Sequence, residues 1–402
     1  MQSPSPQTSI TASSKTPAAG AALHNTWGYY AAFIALGLSS SVVGPTLLNL
    51  SENTGSRLNE ISIIFLIRSL GYLIGSVQGG RLFDRLPGNR MMVLLLVGMS
   101  ASLFFVPLST SLWLLAALMF ITGTTEAGID VGGNTLLVRV HGEKVAPFMS
   151  GLHFFFGLGA FLSPVIVAQM IGLGRGITPA YWILAALIFL PVLWLFRLPS
   201  PENQTAREEA DTGRSDPLLV TMIAVFFFLY VGAEVGFGSW ISTFAIAREA
   251  ATPTAAAYLT SLFWGALTLG RLLSIPVSVR LRPGTILLVD LLGASAGLVI
   301  ILSGSHILPL LAAGTFLTGF SMASIFPTTM NLAERRIALP GRVTRWFFVG
   351  AGLGAMVLPW LIGQWFEPLG PQVFVWLILA AVAANLLLYT GIILKPVRRA
   401  IP

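Results

Sequence analysis

The sequence contains no cysteine and few charged residues. With no cysteine among its 402 residues, it can form neither disulfide bonds nor thiolate metal sites. Charged residues make up 10% of the chain, whereas a soluble domain carries about 25%. It also lacks a Gly-rich phosphate loop ending in Lys-Ser or Lys-Thr and a His-Glu-x-x-His zinc motif. We therefore expect no cofactor, no metal site and no ATP-hydrolysing domain.

Hydrophobic residues dominate what is present. They make up 55% of the chain, and the mean hydropathy is +0.81, which indicates an all-α polytopic membrane protein. Because a spanning helix needs about 20 apolar residues, the apolar runs predict twelve transmembrane helices joined by short loops. Their predicted ranges are 27–50, 59–80, 91–108, 112–138, 146–171, 179–198, 217–246, 255–279, 285–304, 307–331, 343–365 and 371–394.

The polar segments divide this pattern into parts. Residues 1–26 are rich in Ser, Pro, Thr and Ala without an apolar core, so they predict a disordered tail rather than a signal peptide. The charged stretch 199–216 predicts a solvated linker between two six-helix bundles, 27–198 and 217–394, and residues 395–402 form a second tail.

Basic residues fall mainly on one side of the predicted bundle. With the N-terminus inside, the outer segments carry only Arg57, Arg175 and Arg248. The positive-inside rule then places both tails in the cytoplasm of a multi-pass cell (inner) membrane protein. This asymmetry accounts for the net charge of +7 without a nucleic-acid partner. We expect a monomer in the lipid bilayer.

The two halves share an internal repeat. Gly157-Leu-Gly-Ala-Phe-Leu-Ser-Pro164 followed by Gln169 matches Gly352-Leu-Gly-Ala-Met-Val-Leu-Pro359 followed by Gln364, at a constant offset of 195 residues. Phe120-Ile-Thr-Gly123 matches Phe316-Leu-Thr-Gly319 at an offset of 196. Two parallel six-helix repeats are typical of transporters whose halves rock around a central site.

The loop after the second predicted helix carries a charged motif. It reads Gly80-Arg-Leu-Phe-Asp84-Arg85-Leu-Pro-Gly88-Asn-Arg90 and resembles the cytoplasmic signature of the major facilitator superfamily, with one residue more than the usual spacing. The resemblance implies a major facilitator fold of twelve helices around a central cavity. Asp84 is expected to face a helix N-terminus and a cation from the other half, Arg342 or Arg345, as a cytoplasmic gate. The alternative is a charged loop that serves orientation only.

Two carboxylates stand in the fourth predicted helix. Glu126, Asp130 and Asn134 are spaced by four residues and form one polar stripe, which should face the cavity because a charge near the bilayer centre costs at least about 2.5 kcal/mol. Two carboxylates one turn apart in a poorly hydrated site do not both ionise easily, so one of them can carry a proton. Alternatively, one of them pairs with Arg68 to hold the first half together.

A second polar island lies in the seventh predicted helix. It centres on Glu234 and is flanked by several glycines, which let a ligand or a neighbouring helix approach closely. We expect Glu234 to face the cavity as a third coupling residue, with a buried packing role as the alternative. Arg271 and Asp290, both in the cytoplasmic part of the second half, predict a structural charge pair.

Several short stretches narrow the resemblance. They look like the fucose/glucose sugar-symporter branch and its sodium-dependent glucose-transporter relatives: Asp130-Val-Gly-Gly-Asn134, His153-Phe-Phe-Phe-Gly157, Tyr230-Val-Gly-Ala-Glu234, Phe263-Trp264-Gly265 through Gly270-Arg271, and Ile325-Phe-Pro327. The resemblance implies that Asp130, four residues before Asn134, serves coupling. Some relatives have an acidic residue in the first helix, whereas residues 27–50 here have none, so Glu126 or Glu234 could replace it.

Sugar recognition calls for aromatic faces against the ring and for amides or carboxylates against its hydroxyls. Each candidate also has an ordinary explanation: a membrane Trp is often an interfacial anchor, His153 could be packed in the protein, and the symmetric glutamines could serve gating. The candidate ligand contacts are Asn134, Gln169, Tyr230, Trp240, Trp264, Gln364 and His153.

These features together predict a secondary active transporter that works by alternating access. The preferred function is symport of a neutral sugar or similar polar solute with H⁺, or with Na⁺. One alternative is a proton-coupled exporter of amphipathic or cationic compounds. Another, outside transport, is a membrane sensor that binds its ligand without moving it.

Overall fold

The computed structural model describes residues 19–201, 216–337 and 341–395. Helices account for nearly all of the described residues. The first half contains α1 (Ala19–Ser40), α2 (Val43–Thr54), α3 (Leu58–Ile61), α4 (Ile63–Arg85), α5 (Gly88–Phe105), α6 (Leu112–His141), α7 (Ala146–Gly172) and α8 (Thr178–Leu195). The second half contains α9 (Pro217–Ala247), α10 (Pro253–Arg280), α11 (Pro283–Ser303), α12 (Leu308–Met322), α13 (Ile325–Glu334), α14 (Gly341–Phe366) and α15 (Val373–Leu394).

The number of spans agrees with the predicted twelve. The described residues include eleven helices that are long and apolar enough to cross a membrane, and twelve if the bent pair of α1 and α2 counts as one span. Helix α1 begins at Ala19, within the segment predicted as a tail, where the Ala-rich sequence has high helix propensity. Residues 1–18, most of the linker (202–215) and most of the second tail (396–402) lie outside the described residues.

Two spans are broken at matching chemical features. The axes of α1 and α2 differ by 47°, and Pro45 in the first turn of α2 cannot donate a hydrogen bond to the carbonyl of Ser41. Pro327 in the first turn of α13 likewise cannot donate a hydrogen bond to the carbonyl of Ala323, where the span of α12 and α13 is interrupted. Each proline therefore stands four residues after the break in its span.

Glycines bring α4 and α6 into backbone contact. A Cβ atom built on Gly123 would lie 1.9 Å from the carbonyl oxygen of Arg68, and one on Gly71 would lie 2.3 Å from that of Phe120. Such distances exclude any side chain, so small residues set the separation of these two helices. This close packing positions the polar stripe of α6 against α4.

Replacing Gly75 of α4 by Ala is expected to destabilise the protein. Its Cβ would lie 2.4 Å from the carbonyl oxygen of Thr124, whereas a Cβ on Gly80 in the same helix meets no atom within 4 Å. Overpacking of this kind costs about 1–3 kcal/mol, so Tm should fall for Gly75→Ala and not for the control Gly80→Ala. Thermal unfolding of the detergent-solubilised protein measures both. Equal Tm values for the two variants would contradict this packing.

Candidate functional site

A cavity of about 1340 Å³ lies between the two halves. Its walls include residues from both halves, and they continue to Ser278, Pro283 and Arg345 at the ends of α10, α11 and α14. The cavity thus opens on the face that carries the described chain ends Ala19 and Lys395, here called the termini face. The opposite face is closed by contacts between the halves.

Matching glutamines close the opposite face. Gln364 of α14 donates from Nε2 to the carbonyl oxygen of Asn59 at 2.7 Å and to Ser62 Oγ at 3.0 Å, and Gln169 of α7 donates to the Tyr258 hydroxyl at 2.5 Å. Each bond joins one half to the other. Neither glutamine lines the cavity, so the two predicted substrate contacts lie in the closure, as the gating alternative supposed.

Glu126 is ion-paired inside the first half. Its carboxylate receives Arg68 Nε at 3.0 Å and Arg68 Nη2 at 2.8 Å, and Ser39 Oγ donates to Oε1 at 2.5 Å. Arg68 Nη2 also reaches the Ser40 carbonyl oxygen at 3.4 Å, beside the break between α1 and α2. The geometry is that of the structural alternative, in which Arg68 and Glu126 hold the first half together.

Asp130 has hydrogen-bond donors in place of a basic partner. The Tyr72 hydroxyl of α4 donates to Oδ2, and Asn134 Nδ2 donates to Oδ1 at 2.9 Å. His153 of α7 lines the same cavity and is within electrostatic range of Asp130. Among the described residues, no ion pair to Asp130 is formed. Asp130, Asn134 and His153 thus all line the same cavity.

The second half carries its own ion pair at the cavity. Arg271 Nη2 lies 3.5 Å from Glu234 Oε1, and both side chains line the cavity. The predicted pair between Arg271 and Asp290 is wrong, because Asp290 instead accepts a hydrogen bond from Ser324 at the break between α12 and α13. Arg271 of α10 faces α9, whereas Asp290 of α11 faces α13, so packing of the helices separates them.

The three predicted aromatic contacts have different positions. Trp264 lines the cavity, and its Nε1 is buried against Gly238 without a hydrogen-bond partner. Tyr230 is buried and donates to the Met322 carbonyl oxygen at 2.8 Å, while Trp240 is buried and donates to that of Pro359 at 2.9 Å. Neither Tyr230 nor Trp240 lines the cavity, because both side chains complete the packing of the second half.

The charged motif lies at the termini face. Asp84 pairs with Arg139 Nη2 at 3.0 Å, within its own half. Arg345 lines the cavity mouth, and the side chain of Arg342 lies outside the described parts. Gly88 begins α5, where a Cβ would lie 2.3 Å from Leu136 Cδ2, so a larger residue there would require the Leu136 side chain to shift. The remaining motif residues, Gly80, Arg85 and Arg90, lie at the ends of α4 and α5.

Sequence reasoning missed two residues at the site. Tyr72 donates to Asp130, and its position four residues after Arg68 on one face of α4 could have indicated it. Arg345 was considered only for the gate, yet it also lines the cavity. No group of three or more His, Asp or Glu in the described parts is placed to hold a metal ion.

Spans arranged around a central cavity that is closed at one membrane face are typical of transporters that work by alternating access. The family model described as Major Facilitator Superfamily matches residues 29–359, and the chain belongs to that superfamily. Human sodium-dependent glucose transporter 1 is 33% identical over 375 residues, covering 83% of this chain and 72% of the relative. Human major facilitator superfamily domain-containing protein 4A is 28% identical over 454 residues, 88% of each chain.

Solved structures share the fold. A mutant of the nucleoside transporter NupG superposes with a TM-score of 0.76 at 14% identity, covering 93% of this chain and all of that one (100%). A bacterial homolog of the human lysosomal transporter Spinster, in an inward-facing and occupied conformation, gives a TM-score of 0.69 at 12% identity, covering 92% of this chain and 96% of that one. At these identities the likeness concerns the fold alone.

Proposed function

We propose that the protein is a cation-coupled symporter of a neutral sugar or a similar small polar solute, with H⁺ as the favoured ion. The observation that carries the proposal is the state of Asp130. Glu126 and Glu234 are each paired with an arginine, whereas Asp130 faces the cavity between two neutral donors. A carboxyl group without a fixed cation can gain and lose a proton during transport at the lowest electrostatic cost.

The charge balance of the cavity favours a neutral solute. Its described lining contains three carboxylates and three guanidinium groups, which are Glu126, Asp130, Glu234, Arg68, Arg271 and Arg345. A cavity that selects amphipathic cations would need an excess of negative charge or an aromatic cage. Balanced charges instead supply donors and acceptors in equal measure, which suits the hydroxyl groups of a sugar.

The side chains that reach the cavity fit a polyhydroxylated ring. Asn134 and His153 offer polar groups, and Trp264 of α10 offers an aromatic ring. The sodium-dependent glucose transporter relatives support the sugar class by their names. They also make Na⁺ the second candidate ion, although Tyr72 and Asn134 surround Asp130 with donors rather than with the oxygen lone pairs that a cation requires.

We also propose that the termini face lies in the cytoplasm of the cell membrane. Lys and Arg concentrate in the segments at that face, as the positive-inside rule requires. The cavity described here would then be open to the cytoplasm, and Asp84 with Arg345 would approach only when this face closes. In that orientation the closure formed by Gln169 and Gln364 is extracellular.

Charge movement in proteoliposomes tests the proposal directly. Sugars, polyols and amphipathic cations are applied to the wild-type protein at an acidic and an alkaline pH, each with and without Na⁺. A positive inward current elicited by one sugar names both solute and ion, since current at acidic pH without Na⁺ requires H⁺. Responses confined to amphipathic cations would assign the protein to exporters instead. Sugar binding without any current or uptake would assign it to ligand sensors.

A further inference from the structure

Helices α4 and α6 are joined by two polar contacts at the same spacing. Arg68 pairs with Glu126, and Tyr72 donates to Asp130, so the second contact lies four residues after the first on both helices. Residues four apart share one helix face. The two contacts therefore form consecutive rungs between the helices, here called the α4–α6 ladder, and residues of both rungs line the cavity.

The first rung is fixed by burial and by backbone contact. The side chains of Arg68 and Glu126 are 16% and 3% exposed, and two nitrogens of the guanidinium meet two oxygens of the carboxylate. Gly71 and Gly123 allow the backbones to touch at this level. A planar fork of this kind restrains rotation as well as distance. It sets the register in which the Tyr72 hydroxyl meets Asp130.

We propose that Tyr72 is a positioning residue for Asp130, held in register by the Arg68–Glu126 rung, and that its hydroxyl sets the pH at which Asp130 takes up its proton. The inference rests on the proposed function, because it assigns Tyr72 as the partner of Asp130, the carboxyl group proposed to carry the coupled proton. The phenol donates to the ionised carboxylate and stabilises that form. When Asp130 is protonated, the phenol can accept a hydrogen bond instead, so proton binding changes the rung that joins α4 to α6.

Other charged groups near Asp130 come from three helices. Arg68 stands on α4, Glu126 on α6 and His153 on α7, and Arg271 of α10 lies within electrostatic range of His153. The opposite charges of Arg68 and Glu126 largely cancel. His153 interacts electrostatically with both Asp130 and Arg271. In the described parts, Tyr72 and Asn134 are the side chains that donate hydrogen bonds directly to the Asp130 carboxylate.

Tyr72→Phe tests the role of the hydroxyl. Because the hydrogen bond favours the ionised carboxylate, its removal makes protonation easier. The midpoint of proton-driven uptake should then move to higher pH by about one unit, a tenfold change in proton affinity. Tyr30→Phe is the matched control, since that hydroxyl donates at 3.1 Å to the Phe148 carbonyl oxygen and Tyr30 does not line the cavity. Its profile should match wild type.

Two variants of the first rung test the register. Arg68→Lys keeps the charge but loses the planar fork, so it should shift the pH profile in the same direction as Tyr72→Phe. The double variant Arg68→Gln with Glu126→Gln removes both charges and leaves no unpaired ion. A shift in this double variant that vanishes in the Tyr72→Phe background identifies Tyr72 as the link. Additive shifts would show that the rung acts on Asp130 without Tyr72, which overturns that part of the proposal.

The possible outcomes distinguish a failure of the Tyr72 proposal from a failure of the proposed proton-coupled transport. Wild-type uptake that is independent of pH at every Na⁺ concentration would overturn proton coupling itself. Wild-type uptake with a clear pH midpoint that Tyr72→Phe leaves in place would overturn only the role of Tyr72. Size-exclusion profiles and sugar binding of each variant establish that the compared proteins are folded.

Discussion

Asp130→Asn is expected to abolish ion-driven accumulation of the solute while exchange of solute across the membrane continues. The amide keeps the size of the carboxyl group, and its oxygen can still accept from Asn134 while its nitrogen donates to the Tyr72 hydroxyl oxygen, but it cannot take up or release a proton as a carboxyl group does. Because Asp130 has no basic partner among the described residues, its neutralisation leaves no unpaired cation and should not unfold the protein. Counterflow and gradient-driven uptake in proteoliposomes measure the two activities separately.

Glu126→Gln is the matched comparison, because it replaces a carboxylate one turn away in the same helix. It leaves Arg68 buried without its ion-pair partner, and breaking a buried pair costs about 3 kcal/mol. Thermal stability should therefore fall, and exchange should weaken together with accumulation. If Asp130→Asn instead removed sugar binding while Glu126→Gln removed only accumulation, the roles of the two carboxylates would be reversed.

Removing both glutamines of the closed face is expected to shift the protein towards a state open on that face. Gln169→Ala and Gln364→Ala together delete hydrogen bonds between the halves at two places. At about 1 kcal/mol for each glutamine, the combined loss of about 2 kcal/mol changes the ratio of the two states about 30-fold. The Arg57–Glu367 ion pair adds little, because Arg57 is 73% exposed.

The absence of natural cysteine makes this shift measurable by thiol labelling. Ser239 lines the cavity and packs against Gly44 at the closed face, so Ser239→Cys reports opening to an impermeant reagent added on that side. Labelling should accelerate in the double glutamine variant and remain slow in the control Gln78→Ala, which replaces an exposed glutamine of α4 that forms none of these bonds. Leu173 is 64% exposed near the same face, so the labelling rate of Leu173→Cys gives the upper limit for a fully accessible thiol. An unchanged rate in the double variant would exclude these bonds as a closure.

The two glutamines show how the repeat and the tertiary contacts are related. Gln169 and Gln364 are separated by 195 residues, and their partners Tyr258 and Ser62 by 196. The offset predicted equivalent places in the two halves, and both places proved to lie at the closed face. The sequence left substrate contact and gating as alternatives for both glutamines, because sequence periodicity carries no information on which neighbour a side chain meets.

The sequence by itself determined the class of protein, the approximate number of spans, the two-half repeat and the presence of carboxylates at membrane depth. These properties are local: hydropathy over about 20 residues decides whether a helix can cross the bilayer, and the insertion cost of a buried charge marks a functional position.

The tertiary structure alone decided which carboxylate is paired and which one faces the cavity without a cation. Glu126 and Asp130 lie one turn apart in the same stripe, and their spacing cannot distinguish them. Their partners differ because α4 places an arginine beside one and a tyrosine beside the other. Glycines fix that alignment through backbone contacts between helices, and the burial of Tyr230 and Trp240 depends on long-range packing of the same kind, which no local pattern encodes.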